Sequence, residues 1–213
     1  MQDIRDLLAK ADLEGIREKL SRHPELANAG ISLGSQDSRM AHPLHRLCDG
    51  VYHGIYTDAQ ARDMAAIFLY FGSDVNGGGV AENQDSPLTA AASLTADLTG
   101  MYYVEEGAHV DHAGCHGGTA LHWAAWCGRD VLLKKLINAG APLEKRCKDF
   151  YSTPLFWAIH GFKFGGDRNR HHQIECARLL VEAGAIKDTR NAEGRHVLDL
   201  LDDHDEELRT ILS

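Results

Sequence analysis

The chain has 213 residues, 44% hydrophobic and 25% charged, so it contains enough apolar material for a folded core. Its formal net charge is −9 at pH 7 and its acids concentrate near the C-terminus, a balance that excludes a nucleic-acid partner. The five cysteines are odd in number and form no Cys-x-x-Cys pair, which favours a reducing compartment over a disulfide framework.

No stretch of the sequence is typical of a secretory signal or a membrane span. The first fifteen residues mix acids and bases with short apolar pieces. The longest apolar run, Ala65 to Phe71, is far too short to cross a bilayer. We therefore expect a soluble, cytoplasmic protein that has no membrane partner.

Two short helical runs open the chain. The pattern predicts helices from Asp3 to Lys10 and from Asp12 to Ser21, with Asp12 as the N-cap of the second. Their polar exterior suits the end of a larger structure, so we expect residues 1–38 to form a cap.

A repeated pattern organises the sequence after this point. Four segments open with a similar tetrad: His42-Pro43-Leu44-His45, Ser86-Pro87-Leu88-Thr89, Thr119-Ala120-Leu121-His122 and Thr153-Pro154-Leu155-Phe156. Each ends in a related motif: Phe71-Gly72-Ser73-Asp74-Val75-Asn76, Glu106-Gly107-Ala108-His109-Val110-Asp111, Ala139-Gly140-Ala141-Pro142-Leu143-Glu144 and Ala183-Gly184-Ala185-Ile186-Lys187-Asp188. Openings and endings that recur four times in the same order indicate an internal repeat.

The clearest copy lies between Gly117 and Gly140. It predicts an antiparallel pair of helices, Ala120 to Cys127 and Asp130 to Asn138, separated by Gly128. Each is shorter than the length at which an isolated helix holds in water. Neighbouring copies must therefore cover their apolar faces.

The tetrads and endings resemble the ankyrin repeat, whose opening is Thr-Pro-Leu-His and whose period is about 33 residues. The resemblance implies an all-α solenoid of stacked antiparallel helix pairs joined by β-hairpin-like loops. It divides a single domain, residues 1–213, into consecutive parts: the cap 1–38, repeats 39–76, 77–111, 112–148 and 149–188, and a C-terminal cap 189–213. In the C-terminal cap we expect runs from Arg195 to Leu201 and from Asp205 to Leu212.

Two of the repeats are longer than the other two by the same nine residues. The surplus begins near Tyr52 in the first repeat and at Lys163 in the fourth, in both cases after the first helix. Long loops that are retained are often functional, although tolerated surface drift is the alternative. We expect these two insertions to wall a groove on either side of the middle repeats.

The resemblance also implies a concave groove lined by the first helix of each pair. The groove positions are Arg46, Asp49 and Gly50, then Ala90, Ser93 and Leu94, then Trp123, Trp126 and Cys127, and finally Trp157, His160 and Gly161. By the same alignment the hairpin tips add Arg39, His116 and Phe150.

All three tryptophans of the protein therefore fall in this groove, where large aromatic surfaces indicate a binding face. Packing of Trp123 against Trp157 as a side-core is the alternative. We predict that the groove recognises a protein segment or a small polar molecule.

The polar residues of the groove suggest one alternative function. Asp49 and His160 are candidates for acid and base in a hydrolase- or lyase-like small-molecule enzyme, with Arg46 holding an anion. No triad, paired carboxylates or phosphate-binding loop supports that alternative.

The thirteen histidines also raise the question of a metal. Two groups contain possible zinc ligands: His112, Cys115 and His116, and His42, His45 and Cys48. Their spacing matches no familiar zinc motif, so we predict neither a metal nor a cofactor.

Overall fold

The computed structural model describes residues 3–34, 37–80, 83–166 and 169–213, without the side chains of residues 33, 34 and 37–39. The chain forms two compact units. The first comprises Met1–Ala81 with Asp85–His109, and the second comprises Glu82–Gln84 with Val110–Ser213. The predicted arrangement of two caps and four repeats in a single domain stays a prediction.

In its described residues, the first unit contains three helix pairs and two short paired strands. The first of these pairs matches the predicted opening runs, and the Asp12 carboxylate accepts a hydrogen bond from the Gly15 N–H at 3.0 Å, which confirms the predicted N-cap. The elements are α1 (Ile4–Ala9), α2 (Leu13–Arg22), β1 (Ile31–Gly34), β2 (Asp37–Ala41), α3 (Pro43–Tyr52), α4 (Asp58–Tyr70), α5 (Pro87–Ser93) and α6 (Asp97–Glu105). The two strands are antiparallel, with Ile31 paired to Ala41.

Apolar side chains hold these pairs together. Leu44, Leu47 and Phe68 are fully buried where α3 packs on α4. Tyr103 of α6 is buried as well, and its hydroxyl donates to the carbonyl of Leu44 at 2.8 Å. The hydrogen bond satisfies a polar group that burial would otherwise make costly.

The second unit contains two helix pairs followed by a short C-terminal helix. α7 and α8 have the predicted bounds: the Thr119 N–H donates to the His122 Nδ1 at the start of α7, 3.1 Å away, and Gly128 ends α7 in the left-handed conformation at φ 65°. The helices are α7 (Ala120–Cys127), α8 (Asp130–Asn138), α9 (Pro154–Phe164), α10 (Arg170–Glu182) and α11 (Glu206–Leu212).

The end of the chain differs in one respect from the prediction. The run expected from Arg195 to Leu201 forms only a short 3-10 turn, Val197–Leu200, whereas the second run forms α11. The side chains of His196 and Asp199 bond reciprocally to backbone N–H groups across this turn. These local bonds favour the tight turn over a longer helix.

The insertion in the first repeat is built into helices. α3 continues to Tyr52, and α4 has 13 residues where α8 has nine. The carboxylate of Asp58, the first residue of α4, accepts hydrogen bonds from the backbone N–H groups of Leu98 and Thr99 at 2.7 and 3.0 Å. The first insertion therefore caps the start of α6 in the neighbouring repeat.

The insertion in the fourth repeat makes an equivalent contact with the third. The Asn169 amide donates to the Cys127 carbonyl at 2.9 Å, and the Gln173 amide donates to the Trp126 carbonyl at 2.7 Å. Both carbonyls lie at the end of α7, where a helix leaves acceptors without internal partners. Two further residues of this insertion, Asp167 and Arg168, lie outside the described residues.

Candidate functional site

The three tryptophans lie on two helices that pack side by side in the second unit. Trp123 and Trp126 are on α7, and Trp157 is on α9. The ring centroid of Trp157 is 5.1 Å from that of Trp123 and 6.2 Å from that of Trp126, both at edge-to-face angles. This geometry is favourable for aromatic pairs and holds the rings in a single cluster.

The three rings differ in depth. Trp157 is only 6% exposed, and its indole N–H donates to the sulfur of Cys147 at 3.3 Å. Trp123 and Trp126 are half-buried. Trp157 therefore forms a floor, in line with the side-core alternative, while the other two indoles face the space above it.

That space is a cavity of about 430 Å³, which we call the aromatic cavity. Its lining consists of seven aromatic or imidazole side chains and a set of smaller and polar groups. The residues are His116, Trp123, Trp126, Phe150, Phe156, Trp157, His160, Ser152, Asn191, Glu193, Arg195 and Leu200, and Phe156 is the one Phe among them that lies on α9.

The loops that precede α7 and α9 close one side of the cavity. His116 has a positive φ of 59°, in a turn that runs from Cys115 to Gly117. Its ring lies 5.8 Å from that of Phe150 and 6.2 Å from that of Trp123, and its Nδ1 is 2.7 Å from the Asp149 carboxylate. Phe150 is 51% exposed, so much of its apolar surface is open to a partner.

The opposite side is polar and comes from the segment before the 3-10 turn. The Asn191 side-chain oxygen accepts hydrogen bonds from the backbone N–H groups of Glu193 and Arg195, both at 3.0 Å. The guanidinium of Arg195 is 3.1 Å from the Glu193 carboxylate, and both side chains are exposed. The aromatic cavity therefore has an apolar body and a charged rim.

His160 connects this site to the end of α9. Its ring is stacked on Trp126 at 5.0 Å and lies 4.6 Å from the exposed ring of Phe164. Burial lowers the pKa of His160, and the nearby positive charge of Arg195 lowers it further. The imidazole is therefore neutral at neutral pH and presents a flat aromatic surface.

The expected walling of a groove by the two insertions stays a prediction. None of the residues that line the aromatic cavity belongs to the described part of the second insertion, although Phe164 at the start of that insertion contacts His160. The walls come from the loop around Phe150 and the segment from Asn191 to Leu200 instead. Sequence alignment missed that segment, although it follows Phe150 by about one repeat.

Arg46 and Asp49 lie in the first unit, with their own partners. The Arg46 guanidinium donates to the Asp49 carboxylate at 2.5 Å and to the Ile31 carbonyl at 2.7 Å. Burial raises the pKa of Asp49, but hydrogen bonding to His45 and the charges of His45 and Arg46 outweigh it, so the net pKa is lowered. These contacts give both side chains a structural role within this repeat.

The remaining sequence-predicted residues fall into three groups. Asp49 and His160 lie in separate units, so their acid–base pairing stays a prediction. Arg39 is in β2, but its side chain lies outside the described part of the structure. His112 and His116 have different neighbours: the His112 Nε2 is 2.8 Å from the Gln84 carbonyl, whereas His116 contacts Asp149.

The described residues contain neither a cluster of metal ligands nor a helix able to span a membrane. Nowhere in those residues do three or more His, Cys, Asp or Glu side chains gather as a metal site would require. Within the same residues, every helix is too short or too polar to cross a bilayer.

His122 is a buried polar residue in the tetrad of the third repeat. Its Nδ1 accepts a hydrogen bond from the Thr119 N–H at 3.1 Å, and its Nε2 lies 3.1 Å from the Ser152 carbonyl, to which it donates. Burial lowers the pKa of His122 to about 4. The neutral ring therefore ties one repeat to the next and takes no part in the cavity lining.

Comparison with known proteins agrees with the pattern of helix pairs. Residues 116–148 match the ankyrin repeat. The chain is 34% identical over 117 residues to the human SH3 and multiple ankyrin repeat domains protein 2, an alignment that covers 54% of this chain and 6% of that protein. It is 31% identical over 91 residues to the Drosophila melanogaster palmitoyltransferase Hip14, covering 43% of this chain and 13% of the relative.

These findings define the class of protein. The chain contains an ankyrin repeat at residues 116–148. Its helix pairs, which pack side by side within each unit, are consistent with the all-α ankyrin-repeat fold. Ankyrin repeats typically mediate binding between proteins.

Proposed function

We propose that the second unit binds a segment of another protein by seating one apolar or aromatic side chain in the aromatic cavity. The supporting observation is the cavity itself, a space of about 430 Å³ bounded by the half-buried indoles of Trp123 and Trp126. Its volume lies within the roughly 300–1,000 Å³ typical of ligand pockets. Tryptophan in such a position is characteristic of the residues that dominate binding energy at interfaces.

The aromatic walls are well suited to an apolar side chain. Phe150 and Trp126 present apolar surface, and His160 adds a neutral ring next to Trp126. Burial of such surface stabilises a complex by about 25 cal/mol per Å². Because Trp157 holds the floor rigid through its contact with Cys147, the site is largely formed before a partner arrives.

The polar groups of the cavity supply orientation. The indole N–H of Trp123 is buried and has no hydrogen-bond acceptor in the described part of the chain. Because this N–H is shielded from solvent, it stays within the wall of the cavity, and orientation comes from the exposed rim. The exposed Glu193–Arg195 ion pair is weak, so either partner can exchange it for a group on the ligand.

The test is selection of a random 12-residue peptide library, displayed on phage, against the full chain. Trp126→Ala removes one cavity wall, and Phe150→Ala removes an exposed ring from another side. Ile186→Ala is the matched control, because Ile186 is an exposed apolar residue that does not line the cavity. Circular dichroism of each variant verifies that the helices are retained.

We expect enriched peptides whose affinity falls at least about tenfold in Trp126→Ala, since truncating an aromatic anchor typically costs more than 1 kcal/mol. The loss should recur in Phe150→Ala and be absent in Ile186→Ala. Peptides that bind all three variants equally would overturn the proposal. Thermal stabilisation by small polar metabolites, with no peptide retained, would replace it with the small-molecule alternative.

A further inference from the structure

A second depression lies beside the aromatic cavity in the same unit. It has a volume of about 390 Å³, and Lys145, Arg146 and Lys148 line it together with His112 and Gly117. We call this depression the basic cleft. Three cations within four positions are notable in a chain whose net charge is −9, because they create a local field opposite in sign to that of the whole protein.

The aromatic cavity and the basic cleft share a wall. His116 lines the cavity and the next residue, Gly117, lines the cleft. The N–H of Lys148 donates to the carbonyl of His116 at 3.0 Å. Gly117 has a φ of 68°. A Cβ at this position would lie 2.4 Å from the backbone nitrogen of Lys148, so only glycine permits this close approach.

The cations of the basic cleft are held in place by neutral groups. Lys145 Nζ donates to the Asp111 carbonyl, and Arg146 donates to the carbonyls of Tyr151 and Arg190 at 2.8 and 2.6 Å. The Arg146 guanidinium also lies over the Tyr151 ring, 4.7 Å from its centroid. Carbonyls and rings position a cation without cancelling its charge, so the positive field remains available to a ligand.

Two acidic residues adjacent to the cleft lysines have other partners. The Asp149 carboxylate is 2.7 Å from the His116 ring, and the Glu144 carboxylate accepts a hydrogen bond from the Ile186 N–H at 2.7 Å. In the described residues, no ion pair joins a carboxylate to Lys145, Arg146 or Lys148. Lys148 is exposed at the mouth of the cleft.

We propose that the protein segment bound by this unit is acidic, with one apolar side chain in the aromatic cavity and Asp or Glu carboxylates in the basic cleft. This inference rests on the proposed function and specifies its partner. Ammonium and guanidinium groups form charge-assisted hydrogen bonds with carboxylates, which are stronger than neutral ones. Because the two depressions share one wall, consecutive residues of an extended segment can occupy both.

The experiment uses peptides recovered from the random library in a Trp126-dependent manner. Each is resynthesised with Asn for every Asp and Gln for every Glu, which removes charge and preserves shape. Affinity is measured by fluorescence anisotropy for the wild type, for Lys148→Glu, and for the control Lys134→Glu. Lys134 is exposed on α8 and lines neither depression, so both variants change the net charge equally.

We expect the recovered peptides to be enriched in acidic residues and the amide versions to bind at least about fivefold more weakly, which corresponds to roughly 1 kcal/mol. Lys148→Glu should lower the affinity for the acidic peptides by a similar factor, whereas Lys134→Glu should lower it by less than about twofold. Equal losses in the two variants would overturn the inference. Trp126-dependent peptides without acidic enrichment would also overturn it while leaving the proposed function intact, whereas failure to recover any such peptide would remove both.

Discussion

The indole N–H of Trp157 donates to the sulfur of Cys147, 3.3 Å away, at the base of the aromatic cavity. Cys147 is itself buried, in the loop that leads into the fourth repeat. This pairing anchors the largest side chain of α9 beneath Trp123 and Trp126. The three tryptophans therefore divide into one that supports the site and two that present it.

Truncation of these residues should separate the two roles. Trp157→Ala removes a buried ring and should lower the free energy of unfolding by about 3–5 kcal/mol. Trp126→Ala removes a half-buried ring, so we expect it to lower the free energy of unfolding by less than about 2 kcal/mol. Urea unfolding followed by circular dichroism measures both values. Equal losses in the two variants would show that Trp157 is no deeper than Trp126.

The buried imidazole of His122 should make stability depend on pH. Its folded pKa of about 4 lies below the unfolded value of about 6.5, so the unfolded chain binds the proton more readily. The contribution of neutral His122 to the free energy of unfolding is therefore fully present above pH 6.5 and is lost as the pH falls towards 4. The total loss of unfolding free energy from this group is about 3 kcal/mol at most.

The matched variant for that measurement is His122→Gln, which cannot titrate in this range. Unfolding free energies of the wild type and the variant are compared at intervals between pH 4 and pH 7. We expect a shallower pH dependence in the variant, even though it is less stable at pH 7. Parallel curves would indicate that His122 does not carry the effect.

The first insertion should contribute to stability through Asp58. Its carboxylate accepts bonds from the backbone of Leu98 and Thr99 and from the Thr99 hydroxyl, the last at 2.7 Å. Asp58→Ala leaves these donors of α6 without an acceptor and should cost about 1–2 kcal/mol, as for other helix caps. Thermal unfolding measures the loss.

Asp63→Ala is the control for that prediction. Asp63 lies on the same helix, α4, and its carboxylate forms an exposed ion pair with its neighbour Arg62. Such pairs contribute about 0–1 kcal/mol. A loss in Asp63→Ala as large as that in Asp58→Ala would contradict a capping role for the insertion.

Much of the local structure could be predicted from the sequence. The bounds of α7 and α8 agree with the prediction because the bond between Thr119 and His122 and the turn at Gly128 both act within one or two helical turns. The all-α repeat class followed from tetrads that recur in order. The position of both insertions also followed, because their extra length is visible in the alignment of the repeats.

The architecture of the site could not be predicted to the same extent. The insertions extend helices and bond to helix ends in neighbouring repeats. These contacts could not be predicted, because hydrogen bonds between residues about forty positions apart leave no periodic signal in the sequence. The same is true of the wall formed by Asn191, Glu193 and Arg195, which closes the cavity from a different repeat. The depth of Trp157 depends on Cys147, a neighbour ten residues away in another element.

The sequence by itself determined most of the residues that form helices and that these helices occur as repeated pairs, because capping and apolar periodicity act between near neighbours. The tertiary structure alone decided which tryptophan faces are covered, which loops enclose them and where the cations of the second unit gather. These features depend on contacts between repeats, where the free energy of burying apolar surface is shared by side chains far apart in the chain.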